Sequence, residues 1–232
     1  MSEQPVRVAL VAEGPTDRII IECALSSMLA GRSFILIQLH PEESLAFGPT
    51  GTGWVGVYNW CRQAVARASG LGNDFLYHNY DILILHLDAD VAGHRYDQGS
   101  IEEEVQDIPC VQDCPPASAT TNVLRPVLLR WAGETSLPPR TVICMPSKST
   151  EAWVVAALFP EDSAVQRGIE CHANPVGRLG QQPANRRIQK RQGDYRNHAQ
   201  AMTDAWPRLS GSLTEAQRFQ TEFMALVPPA RA

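Results

Sequence analysis

Four apolar runs alternate with segments of helical spacing along the first two thirds of the chain. Residues 6–13, VRVALVAE, are rich in valine and predict a buried strand. Helical spacing follows over 16–30 and ends at Gly31. SFILIQLH (33–40) predicts a second strand, the glycine-dotted 41–53 a loop, and 54–68 a second helix. DILILHLD (81–88) and 140–146 predict two further strands, with helices over 119–134, where Pro126 falls near the first turns, and 149–159. This order predicts an α/β fold with a mainly parallel sheet and helices on both faces. Two segments break the alternation. Residues 94–118 are acidic and read as an insertion. Residues 161–232 are polar, with short helices expected around 195–206 and 213–226. The expected organisation is a catalytic domain over 1–160 and a basic, partly helical C-terminal appendage over 161–232.

In a parallel α/β sheet, ligands bind at the carboxyl ends of the strands. Acidic residues collect at those positions. Glu13 ends the first strand, Asp88 and Asp90 the third, and the fourth leads into PSKSTEAW with Lys148 and Glu151. Asp17 follows Glu13 just inside the first helix. Clustered carboxylates repel one another unless cations neutralise them, and Mg²⁺ or Mn²⁺ with oxygen ligands does so. Asp17 and Glu151 also suit a helix N-terminus, where an acid is ordinary. His86 shares strand parity with Asp88 and reads as a satisfied core histidine, and His94 as a loop histidine. Between 178 and 196, Arg178, Arg186, Arg187, Lys190, Arg191 and Arg196 stand against one acid, Asp194. That composition suits a phosphate backbone or a solvated linker, with Arg186, Arg187, Lys190 and Arg191 as the candidate nucleic-acid contacts.

The order Glu13 in EGPTD, then Asp88 and Asp90 in a DxD, then KSTEAW resembles the Toprim family over roughly residues 6–160. The last segment is similar to the lysine and glutamate region of its nuclease branches, which include the overcoming-lysogenization-defect nucleases and small stand-alone proteins of bacterial anti-phage systems. The resemblance implies a Toprim-like fold and metal-dependent phosphodiester chemistry. Glu13, Asp88 and Asp90 match the family's common acids. Asp17 and Glu151 would complete a second metal position, and Lys148 would face the charge building on the phosphate. LDADVAG lacks the third aspartate that topoisomerases of the family carry. Implied partners are nucleic acid (DNA, RNA or tRNA) and a separately encoded ATPase, and a homodimer stays open. Two rival readings remain: a haloacid-dehalogenase-like phosphatase, which also uses a DxD but after its first strand, and a non-enzymatic Toprim-like interaction module.

Composition narrows this picture. The chain has 232 residues, 44% of them hydrophobic, and a net charge of -5, so any polyanion must meet a local patch or a metal ion. No apolar run nears the roughly 20 residues that span a bilayer, and no signal peptide is expected. Six scattered cysteines suggest a reduced, cytoplasmic setting. Cys110, Cys114, Cys171 and His172 make a weak zinc set with loose spacing. GPTGTGWVG lacks the GK[ST] of a P-loop.

Overall fold

The computed structural model describes residues 4–41 and 51–229. Strands β1 (Val6–Val11), β2 (Phe34–His40), β3 (Ile82–His86) and β4 (Thr141–Cys144) form one sheet in the order β2-β1-β3-β4. Every pairing is parallel, with Val8 opposite Ile82 and His86 opposite Cys144. The expected α/β class therefore holds. The glycine-dotted stretch 41–53 falls mostly outside the described residues.

The central strands are buried on both faces, so they read as unbroken apolar runs. Strand parity splits them between two cores. Val8, Leu10, Ile82, Ile84 and Val142 enter one, and Ala9, Val11, Leu83, Leu85 and Ile143 the other.

The helices in chain order are α1 (Pro15–Met28), α2 (Gly53–Ala68), α3 (Leu76–Asn79), α4 (Ser118–Trp131), α5 (Glu151–Leu158), α6 (Ser163–Gln166), α7 (Pro175–Gly180), α8 (Gln192–Asn197), α9 (Ala199–Ser212) and α10 (Thr214–Leu226). α2 and α4 cover the second core, and α1, α5, α9 and α10 the first. Every residue from Glu151 to Ala157 of α5 is buried, and a helix apolar all round needs cover on both sides. The sheet supplies one side. The segment expected as a polar appendage supplies the other, with the Trp153 and Trp206 rings 5.4 Å apart and nearly perpendicular. Phe219 and Phe223 of α10 join the same core.

The insertion has neither helix nor strand between Ser100 and Ala117 but is anchored. Glu103 accepts from the Tyr58 hydroxyl at 2.9 Å, and Ile101 and Ile108 are buried in the second core. Cys114 is joined to Cys171 by a disulfide, so the reduced-thiol expectation does not hold for this pair, and neither sulfur can ligate zinc. Cys23, Cys61 and Cys144 are free and buried within apolar segments. No helix of the described residues is long and apolar enough to cross a membrane.

Candidate metal centre

Because all four strands run the same way, the segments leaving β1, β3 and β4 emerge at one edge of the sheet. β1 leads into Glu13, and Pro15 then opens α1 with Asp17 in its first turn. Gly53, at φ +67°, opens α2 and donates its N–H to the Glu13 carbonyl at 3.0 Å. β3 leads into Asp88 and a tight turn over Ala89–Val91. β4 leads into Thr150 and Glu151 at the start of α5.

These segments are stitched together. The Asp88 N–H donates to Glu13 Oε1 at 2.7 Å. The Thr150 N–H donates to Asp88 Oδ1 at 3.2 Å, and its hydroxyl donates to Asp17 Oδ1 at 2.6 Å. His86 Nε2 stands 3.2 Å from Asp88 Oδ1. Asp17, His86, Asp88, Thr150 and Glu151 are all buried. One ligand atom each from Asp17, His86 and Asp88 lie within 4.8 Å of one another.

The electrostatics follow from this crowding. Burial pushes the Asp88 carboxyl well above the usual aspartate range. The charges of Asp17, Glu151 and Asp90 push the same way, and Lys190 pulls back only in part. Burial likewise raises Glu13 well above its ordinary value, with Asp88 and Asp17 adding to the effect against His86 and the Asp88 N–H. Glu151 differs. Burial works against its charge, but Lys190 above all, with the nearby Ser149 side chain and a backbone donor, holds its carboxyl below the ordinary glutamate value. Lys190 Nζ lies 2.9 Å from Glu151 Oε1, and the Tyr195 hydroxyl donates to the same oxygen at 3.0 Å. Burial alone would lower the Lys190 ammonium, yet Glu151, Asp17 and Asp88 carry it up to about 12. Glu151 Oε2 is buried with no hydrogen-bond partner.

Glu13, Asp17, Asp88 and Glu151 thus come together as the sequence spacing predicts. Asp90 is exposed at the rim, its N–H donating to the Lys148 carbonyl at 3.0 Å. Lys148 is half-buried, and its side chain makes no hydrogen bond or ion pair among the described residues. The ammonium set against an acid of the cluster is that of Lys190, expected among the nucleic-acid contacts. The other candidate contacts lie apart. Arg186 stacks over the Phe159 ring at 5.1 Å and donates to the Leu158 carbonyl, while Arg187 and Arg191 are exposed. Arg178 is bound to Asp162 through two hydrogen bonds of 2.8 and 2.7 Å. Sequence reasoning missed Thr150 and Tyr195 and set His86 aside. Only the parity of His86 with Asp88 signalled its place.

Comparisons with protein-family models, curated proteins and solved structures found no match to this chain.

Proposed function

We propose that the protein is a metal-dependent nuclease of the Toprim kind, hydrolysing phosphodiester bonds of nucleic acid. The observation that carries this reading is the convergence of Glu13, Asp17, Asp88 and Glu151 at the carboxyl edge of a parallel sheet: Asp17, Asp88 and Glu151 are buried, Thr150 joins Asp17 to Asp88, and the Asp88 N–H binds Glu13. The donor set fits a hard divalent ion such as Mg²⁺ or Mn²⁺, because buried carboxylates with raised pKa values are the groups such an ion neutralises. Glu13, Asp17 and Asp88 would hold it, with Glu151 and Asp90 available to a second. A bound ion there supplies Lewis-acid stabilisation of the phosphate and lowers the pKa of water.

The chain's own residues do the rest. Thr150 fixes Asp17 and Asp88 through two separate donors, and Tyr195 fixes Glu151. Lys190 presents a half-exposed ammonium beside the acids, suited to the negative charge that grows on the reacting phosphate. The chain carries no P-loop, so in this reading ATP control falls to a separately encoded ATPase, and a defence role follows from the Toprim resemblance. The experiment is incubation of the purified protein with Mg²⁺ or Mn²⁺ and a panel of plasmid DNA, single strands and tRNA, with a phosphomonoester as control. Cleavage of the monoester alone would favour the phosphatase, and no turnover of any substrate the interaction module.

Two predictions separate the cations. Lys190→Met is expected to slow cleavage roughly 10²–10³-fold, the scale for a donor to a developing oxyanion, while Lys190→Arg keeps part of the rate. Lys148→Ala is the comparison. If it slows cleavage more than Lys190→Met in single-turnover assays, Lys148 is the catalytic ammonium instead. For the exposed basic segment, changing Arg186, Arg187 and Arg191 together to Ala is expected to weaken binding at low salt with chemistry unchanged. The slope of log K against log salt should flatten by about 0.9 for each phosphate of duplex DNA that the variant no longer neutralises. An unchanged slope means that this surface faces something else.

A further inference from the structure

A buried imidazole ordinarily finds a hydrogen-bond partner. His86, at the end of β3, does not. It is 0% exposed, and neither ring nitrogen makes a hydrogen bond. By parity it follows Ile82 and Ile84 on the face that carries α1 and α5, and this points it toward the acids rather than the second core. Nε2 stands 3.2 Å from Asp88 Oδ1, and ligand atoms of Asp17, His86 and Asp88 share a space within 4.8 Å. Two donors bound to one ion at about 2.1 Å and near right angles stand about 3 Å apart, so this spacing suits a shared ion.

We propose that His86 Nε2 is a direct metal ligand, and that the site therefore selects Mn²⁺ or a similar divalent transition ion over Mg²⁺. The inference rests on the reading of this pocket as a metal centre and goes beyond it by naming the ligand set. Mg²⁺ is a hard ion that favours oxygen donors, whereas imidazole suits first-row transition ions. Asp17 and Asp88 supply the oxygens that Mn²⁺ also accepts, and the mixed set is the one that separates the two metals.

The test reads the metal's surroundings directly. Protein loaded with Mn²⁺ is examined by pulsed electron paramagnetic resonance for coupling to an imidazole ¹⁴N, and Mn²⁺ and Mg²⁺ affinities are measured by calorimetry. Wild type is expected to show the nitrogen coupling and to bind Mn²⁺ at least about tenfold more tightly than Mg²⁺. His86→Gln should lose the coupling and narrow that preference, with a thermal melt reporting whether it folds. His94→Ala, at an exposed loop position, should keep both, so the spectrum can be assigned even if His86→Gln is unstable. Mn²⁺ binding without nitrogen coupling in the wild type overturns the assignment and leaves the carboxylate centre standing. Coupling that survives in His86→Gln, or disappears in His94→Ala, also overturns it. Failure of both ions to bind overturns the metal centre itself.

Discussion

Asp88→Asn is expected to abolish nuclease activity and at the same time to stabilise the metal-free protein. Asp88 sits at the centre of the cluster, 5% exposed, with Thr150 N–H and His86 Nε2 both at its Oδ1. The amide keeps the shape, and its carbonyl oxygen can still accept from Thr150, so the change removes charge and little else. In the proposed reaction that charge helps hold the divalent ion. A loss of about 4 kcal/mol of transition-state stabilisation corresponds to about 10³ in rate, and a decrease of this order or more is expected. In the folded, metal-free chain the same charge is a liability. Burial raises its pKa, and Asp17, Glu151 and Asp90 repel it. Removing it should raise metal-free stability by on the order of 1 kcal/mol at neutral pH. Denaturant midpoints in chelator and single-turnover rates in Mn²⁺ measure the two halves. A variant that loses activity together with metal-free stability would show Asp88 to be a structural residue.

This opposition explains which parts of the site were legible in the sequence. Strands buried on both faces leave apolar runs, and a charge at the end of such a run stands out, so Glu13, Asp88 and their place at one sheet edge could be read directly. Glu151 could be read as well, at a helix start after β4. The cation facing it could not. Lys190 lies in a run of basic residues, where composition suggests a phosphate-binding surface, and only the fold brings its ammonium to Glu151. His86 ends an apolar strand, where a satisfied core histidine is the ordinary case, and its place beside Asp88 without a hydrogen bond at either nitrogen is visible only once the neighbours are placed. How the tail packs was hidden for a related reason. In α9 and α10 most residues are exposed or half-buried, so the segment reads as polar. A few widely spaced side chains, Met202, Trp206, Phe219 and Phe223, carry its packing into the first core, where Trp206 and Phe219 meet Trp153 of α5.

Metal and pH should act on stability with opposite signs. In chelator, stability is expected to fall as pH rises above about 6.5, the ordinary histidine value. Glu13 and Asp88 have folded-state pKa values well above their ordinary ones, so across the interval between the two the native state keeps protons that the unfolded chain has released. Stability therefore decreases with pH there, by at most about 1.4 kcal/mol per pH unit for each such proton, and is greatest below the ordinary carboxylate pKa. Other groups oppose this outside the window. Burial lowers the His40 pKa, so its contribution rises with pH up to about 6.5 and is then complete. The lowered carboxyls of Glu151 and Asp162 contribute stability that is lost only in acid. A divalent ion reverses the trend, because it competes with the same protons and binds more tightly as they leave. At a free concentration 100 times the dissociation constant it adds about 2.7 kcal/mol. The melting curves with Mn²⁺ and with chelator should thus diverge as pH rises, and in Asp88→Asn the chelator curve should flatten while the divergence collapses. Thermal melts at half-unit steps across the window decide it. Curves that stay parallel in the wild type would mean that Glu13 and Asp88 are not where the metal binds.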